Sequence, residues 1–133
     1  MAASLKRLPD AELTVMQAVW RLDAPVRRAD IERTLSNIHP MAPTTLLTLL
    51  ARLAAKDFLR IEKEGRGSVY IPLVSESEYR TVQSRSFFSR LFGGNVSAFA
   101  NALTEGGLSR EELEELKRLL EENDRGALSD RIW

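Results

Sequence analysis

The sequence contains no cysteine and a single histidine, so several kinds of site are missing from it. Without thiols the chain has no disulfide framework, no thiolate metal site and no cysteine nucleophile, which is compatible with a reducing compartment. Its apolar runs fall well short of the roughly 18 residues that a transmembrane helix needs, and its N-terminus lacks the apolar core of a signal peptide. We therefore expect a cytoplasmic protein without membrane insertion.

Motifs typical of enzymes are also absent. The sequence has no phosphate loop, no G-x-S-x-G and no H-E-x-x-H, and a lone histidine such as His39, in a proline-flanked turn, is more often structural than catalytic. The carboxylates of Glu111, Glu112, Glu114 and Glu115 are predicted to lie on the wet face of a helix. We expect neither catalysis, nor a metal, nor a cofactor.

The formal net charge is zero, but it is unevenly distributed along the 133 residues. Residues 1–92 contain 14 Lys+Arg and 10 Asp+Glu, whereas residues 93–133 contain 5 and 9. This split indicates a basic working surface and an acidic part with another role, although the same excess would be unremarkable for many domains. The length suits one domain, or a small domain with a helical appendage.

Apolar periodicity predicts three helices in the first half of the chain. The first runs from about Asp10 to Leu22, and the second covers Arg28 to Asn37 and buries Ile31. The third begins at Pro43, where the missing N–H of proline is tolerated. One face of each helix is therefore expected to form a common core. The predicted core residues are Leu13, Met16, Val19, Trp20, Ile31, Leu35, Leu46, Leu49, Leu50 and Leu53.

The outer face of the third helix is small, polar and poor in charge. Threonine offers a hydroxyl and a methyl group, and Arg52 can reach a phosphate or a guanine edge, so this face suits the floor of a major groove. A plain surface helix is the alternative, although such helices usually carry more Glu and Lys. The outward residues are Thr44, Thr45, Leu47, Thr48, Ala51, Arg52 and Ala55.

A period of two after Asp57 predicts a β-hairpin. Leu59 and Ile61 alternate with charged residues, and a second alternating run follows the sequence Gly65-Arg66-Gly67, whose glycines are expected to supply positive φ angles. Lys63 and Arg66 would stand near the tip, as phosphate contacts or as a solvated loop, and a proline in the second run implies that part of that strand is an edge. Three helices followed by a hairpin predict a winged helix-turn-helix, a mainly α fold with a small β-hairpin wing, over residues 1–75.

Residues 76–123 predict a helical dimerisation region, followed by a tail over residues 124–133. Large apolar groups are more numerous there than a small domain needs, and a capping box at Ser109 and Glu112 precedes a leucine-rich helix. Interlocking with a second copy would cover them, and a monomeric extension that folds back is the alternative. The predicted dimerisation residues are Tyr79, Phe87, Phe88, Leu91, Phe92, Phe99, Leu103, Leu113, Leu116 and Leu120.

These segments together resemble the BlaI/MecI/CopY family of winged-helix repressors, which includes the penicillinase repressors. The resemblance rests on LPDAELTVMQAVW, on the order T-L-x-T-L-L-x-R-L-x-x-K from Thr45 to Lys56, on VYIPLV, and on FFSRLFGGNVSAFANAL followed by GLSREELEELKRLLEE. It implies a homodimer that binds a palindromic operator in double-stranded DNA and represses transcription, of a β-lactam-resistance or related stress operon. A winged helix that serves only protein–protein interaction is the alternative.

The resemblance also implies which residues contact DNA and where this chain departs from the family. Thr44, Thr45, Thr48 and Arg52 match its contact positions on the recognition helix. Two of the outward residues depart from the family, because relatives often carry a basic or larger polar residue at the positions of Thr44 and Leu47. The Leu47 side chain is able to contact a thymine methyl. Two further departures lie at the ends of this helix. They are Ala42 in place of a capping serine and Asp57 in place of a common glycine.

Induction in penicillinase repressors proceeds by proteolysis of an Asn-Phe bond, triggered by a membrane-bound sensor. The aligned pair here is Asn101-Ala102, so the resemblance implies this bond as the proteolytic site, although Ala102 replaces the aromatic residue. Copper-responsive members carry a cysteine cluster, which this chain cannot build.

Overall fold

A computed structural model describes the backbone of residues 5–132 and the side chains of residues 5–124. The chain forms two compact units, residues 1–86 and residues 87–133. Within residues 5–132, no helix is long and apolar enough to cross a membrane. The elements are α1 Asp10–Trp20, β1 Val26–Arg27, α2 Arg28–Ser36, α3 Pro43–Ala55, β2 Leu59–Glu64, β3 Gly67–Pro72, α4 Glu76–Phe92, α5 Val96–Ala102, a π-helical turn Leu103–Gly107, and α6 Arg110–Ile132.

The mainly α fold with a β-hairpin wing is confirmed. Helices α1 and α2 end one or two residues before their predicted ends, at Trp20 and Ser36, and α3 begins at Pro43 as predicted. The residues predicted for the core are buried, except that Leu13 and Trp20 are partly buried and pack against it. Periodicity therefore identified both the helices and the faces that they bury.

The sheet has three antiparallel strands in the order β1-β3-β2, one more than the predicted hairpin. Strand β1 pairs with Val69 and Tyr70 only, so Pro72 lies in a part of β3 that has β2 as its sole partner among the described residues. Gly65 has a φ of 62°, as predicted. The prediction for Gly67 is wrong, because its φ is not positive and the residue already belongs to strand β3, where it pairs with Glu64.

Tyr79 belongs to the core of the first unit, which corrects its assignment to the dimerisation surface. Its ring centroid lies 5.8 Å from that of Trp20 and 5.8 Å from that of Phe58, and its side chain is buried. The Tyr79 hydroxyl oxygen accepts a 2.8 Å hydrogen bond from the N–H of Leu8. Tyr79 therefore lies in the same compact unit as the winged helix, and this unit continues to Ser86, beyond the expected boundary at residue 75.

A capping box starts α4 inside the first unit. The N–H of Ser75 donates to Glu78 Oε1 and the N–H of Glu78 donates to Ser75 Oγ, each at 3.0 Å. Hydrogen bonds from Ser75 lower the pKa of Glu78, since they favour the carboxylate form. This reciprocal pair satisfies two N–H groups that a helix start leaves without partners.

Aromatic rings form the centre of the second unit. The Phe99 centroid lies 5.5 Å from that of Phe88 and 5.2 Å from that of Phe92. The predicted capping box is confirmed, with hydrogen bonds of 2.8 and 3.1 Å between Ser109 and Glu112. The backbone of the predicted tail continues α6 to Ile132, and the side chains after residue 124 lie outside the described part. Several large apolar side chains of this unit remain exposed, namely Phe87, Leu91, Val96, Leu119 and Leu120.

Candidate nucleic-acid interface

Helix α3 starts without a side-chain cap, as its sequence predicts. Ala42 has an extended backbone, with φ −64° and ψ 147°, and its carbonyl oxygen accepts the first helical hydrogen bond from Leu46 at 3.0 Å. Its methyl group cannot accept a bond from the N–H groups of the first turn. Helix α3 is therefore stabilised by the packing of its four buried leucines, Leu46, Leu49, Leu50 and Leu53.

The outer face of α3 presents the residues that the sequence predicted. Thr44, Thr45, Thr48 and Arg52 are exposed, and Leu47 is 41% exposed. The Thr48 hydroxyl donates a 3.0 Å hydrogen bond to the carbonyl oxygen of Thr44, which leaves the Thr48 oxygen free to accept a bond. Among residues 5–124, no carboxylate forms an ion pair with Arg52. The face thus offers methyl groups, an acceptor and one free guanidinium.

The C-terminal end of α3 is fixed by a backbone motif. The N–H of Phe58 donates to the carbonyl of Leu53 at 2.9 Å and the N–H of Asp57 donates to that of Ala54 at 3.0 Å. This is the Schellman arrangement, which needs a left-handed residue after the C-cap. Asp57 fills that place with a φ of 62°, so the position where relatives often carry glycine has a conformation that favours glycine.

An ion pair between α1 and the end of α3 was missed in the sequence. The Lys56 ammonium contacts the Glu12 carboxylate, whose side chain is only 5% exposed. The sequence does not indicate a partner for Glu12, although its spacing of three, four and seven residues from Val15, Met16 and Val19 places it on the buried face of α1. Lys56, the last residue of the family motif, thus holds α3 against α1.

A cleft of about 450 Å³ separates the wing from α2 and α3. Leu47 of α3 and Arg66 of the wing turn both line it, together with Arg27 and Arg28. Lys63 is not among the lining residues, since strand alternation places it on the face of β2 that carries Leu59 and Ile61. Among the residues predicted for DNA, the structure therefore brings Leu47 and Arg66 to one cleft and leaves Lys63 outside it.

Arg27 and Arg28 are cleft residues that the sequence did not identify as a site. Arg27 Nη2 lies 2.6 Å from Glu64 Oε1, and Arg28 Nε lies 3.2 Å from Glu32 Oε1. Burial raises the pKa of Tyr70 in the cleft wall, and the charge of Arg28 partly offsets this rise. The pairing of β1 with β3 creates this cluster, and a two-residue strand leaves no pattern in the sequence.

Comparison with known proteins places this geometry in a family. A model of the family described as penicillinase repressor matches residues 8–122. The chain belongs to the penicillinase repressor family. Membership confirms the resemblance inferred from the recognition-helix motif and the segments around it.

Relatives in this family align over nearly the whole chain. The penicillinase repressor of Bacillus licheniformis is 37% identical over 123 residues, which cover 90% of this chain and 95% of that protein. The methicillin resistance regulatory protein MecI of Staphylococcus aureus strain N315 is 30% identical over 114 residues, which cover 85% of this chain and 92% of that protein.

A solved structure is similar to the first part of the fold. The solution structure of the DNA binding domain of the repressor BlaI is similar with a TM-score of 0.50 and 35% identity, over 59% of this chain and 94% of that one.

Proposed function

We propose that this chain is a transcriptional repressor that binds a palindromic operator in double-stranded DNA as a homodimer. The observation that carries the proposal is the exposed threonine and arginine face of α3 beside an arginine-lined cleft and the wing. The names of its relatives, a penicillinase repressor and a methicillin resistance regulatory protein, support a β-lactam-resistance or related stress operon as the target.

Each exposed group of α3 suits a different feature of the major groove. The Thr48 oxygen can accept a hydrogen bond from the amino group of adenine or cytosine, and the Leu47 side chain can contact a thymine methyl. The free guanidinium of Arg52 can bind a guanine edge or a phosphate. Arg66 and the cleft arginines are suited to the neighbouring phosphates, which position the protein without reading sequence.

The exposed apolar side chains of the second unit support the homodimer. A two-fold dimer matches a palindromic site, because each protomer then meets an identical half-site. Burying Phe87, Leu91 and Leu120 against a second copy would remove a large apolar surface from water.

Induction by a membrane-bound sensor-protease remains part of the proposal. Asn101 and Ala102 are exposed at the end of α5, and the carbonyl oxygen of Asn101 accepts a 2.9 Å hydrogen bond from the Thr104 hydroxyl. Proteases bind extended segments, so this turn would have to unwind before cleavage. Incubation with membranes that contain the cognate activated sensor should yield a single cut between the two residues, and an intact chain would contradict this route.

Selection of bound duplexes from a random pool tests the proposed function. We expect an inverted repeat whose two halves are related by two-fold symmetry, bound with an affinity that falls steeply as salt rises. Failure to select any duplex, with no salt-dependent binding, would favour a winged helix that binds a protein instead.

Replacing Arg52 with Ala tests the recognition helix itself. The variant should lose about 1 to 3 kcal/mol of operator binding and relax preference at one position of each half-site. Arg33→Ala is the matched control, since Arg33 is paired with Asp30 on α2 and lies outside the proposed interface. Equal affinities of the two variants would remove Arg52 from the interface.

A further inference from the structure

The carboxylates of Glu32 and Glu64 line the arginine-rich cleft, where a bound DNA phosphate would lie close to them. One of them, Glu64, ends strand β2 and holds Arg27 across the sheet at 2.6 Å. We propose that Glu64 competes with the DNA phosphate for Arg27 and so lowers the affinity of the protein for every duplex. This inference rests on the proposed function and assigns to the wing an acidic residue that limits DNA binding.

The exposure of the pair allows such an exchange. The side chains of Arg27 and Glu64 are 68% and 48% exposed, and exposed ion pairs are weak because water and salt screen them. A phosphate can therefore displace the carboxylate, and binding then loses the attraction between Arg27 and Glu64. Two unit charges about 4 Å apart in water change an equilibrium constant about fivefold, which sets the size of the expected effect.

The neighbouring residue Glu62 provides a control with the same charge change. It lies two residues earlier on the same face of β2, and its carboxylate pairs with Arg60 at 2.7 Å. Neither Glu62 nor Arg60 is among the residues that line the cleft. Glu64→Gln and Glu62→Gln therefore alter the net charge equally but only the first changes the cleft.

The experiment compares these two variants with the wild-type protein by fluorescence anisotropy. The probes are a labelled duplex from the selection and a labelled duplex of unrelated sequence. At low salt, we expect Glu64→Gln to bind each of the two duplexes more tightly than the wild type does, by about fivefold for every wing that contacts the duplex. This gain in affinity should shrink as the salt concentration rises. Glu62→Gln should bind like the wild type. Equal affinities of the two variants, or weaker binding by Glu64→Gln, would overturn the proposal.

A double-mutant cycle with Arg27→Gln separates competition from general repulsion. If Glu64 acts by holding Arg27, the gain from Glu64→Gln should largely disappear when Arg27 is already replaced. A gain of the same size in both backgrounds would overturn the competition. Wild-type protein that binds no duplex would reject the proposed function, whereas wild-type binding that Glu64→Gln leaves unchanged would reject only the role of Glu64.

Discussion

Asp57 is a single residue that adopts a conformation few side chains favour. Its φ of 62° completes the Schellman motif behind α3, and the Cβ atom of a residue other than glycine opposes that backbone geometry. Aspartate tolerates the left-handed region better than most residues, which explains how it can stand there. The end of the recognition helix therefore carries a small conformational cost.

Replacing Asp57 with Gly should increase the free energy of unfolding by about 0.5 to 1 kcal/mol, because the relief of the left-handed geometry exceeds the added freedom of the unfolded chain. Urea denaturation of the full chain at one protein concentration measures it. Asp57→Ala is the control, since alanine keeps the Cβ atom and should give no gain. A glycine variant less stable than the wild type would show that the aspartate side chain itself stabilises this turn.

Single residues also show where sequence reasoning reached its limit. The exposure of Thr44, Thr48 and Arg52 follows from helical periodicity, which needs no knowledge of neighbours. The burial of Tyr79 does not, because an apolar residue beyond the wing can be covered by its own unit or by another chain. Only the tertiary packing decides between the two.

Helices α1 and α3 are joined by the ion pair between Glu12 and Lys56. The carboxylate is buried while the Lys56 side chain is 42% exposed, so the lysine neutralises a charge that water reaches poorly. The attraction within such a pair adds little to the stability of the fold. Removing one partner is costly, however, because the other charge is then buried without a counter-charge. The last residue of the family motif is therefore explained by packing of the recognition helix rather than by DNA.

Replacing Lys56 with Met should lower the free energy of unfolding by about 1 to 3 kcal/mol, because the Glu12 carboxylate then lacks its partner and the partly exposed site limits the loss. Thermal and urea denaturation measure the change. The double replacement Glu12→Gln with Lys56→Met should cost less than the sum of the single changes. Additive losses would mean that the two side chains do not interact.

Element length determined which parts of the fold the sequence could predict. Helix α3 and the hairpin have several turns or alternations, and their predicted positions are confirmed. Strand β1 has only two residues and the segment Leu103–Gly107 forms a π-helical turn, and neither gives a periodic signal. The missed strand brings Arg27 beside the wing, so the cleft could not be predicted either.

The second unit presents Leu91 to solvent with 64% of its surface exposed, the feature on which the proposed homodimer rests. Phe88 is a poorer probe, because its ring contacts Phe92 and Phe99 within the unit. Substitution of a mostly exposed side chain usually disturbs the packing of its own unit little. Leu91 is thus the residue at which assembly of the whole molecule is best tested.

Replacing Leu91 with Glu should convert the proposed dimer to a monomer, since a carboxylate would be buried in the interface without a partner. Operator binding should weaken by about 10²- to 10⁴-fold through the loss of bivalent contact. Analytical ultracentrifugation and anisotropy measure the two effects. Gln17→Glu, which adds the same charge on the exposed face of α1 in the first unit, should leave both unchanged. A Leu91→Glu protein that remains dimeric would exclude this face.

The hydrogen bond from Leu8 to the Tyr79 hydroxyl has a practical consequence for dissecting this protein. A fragment that stopped at Ser75 would lack the Tyr79 ring, which packs against Trp20 and Phe58, and its core would contain a cavity. A fragment that ran to Ser86 would keep that ring and close the core. The shortest independently stable DNA-binding fragment is therefore expected to include the first turns of α4, although these turns lie beyond the wing.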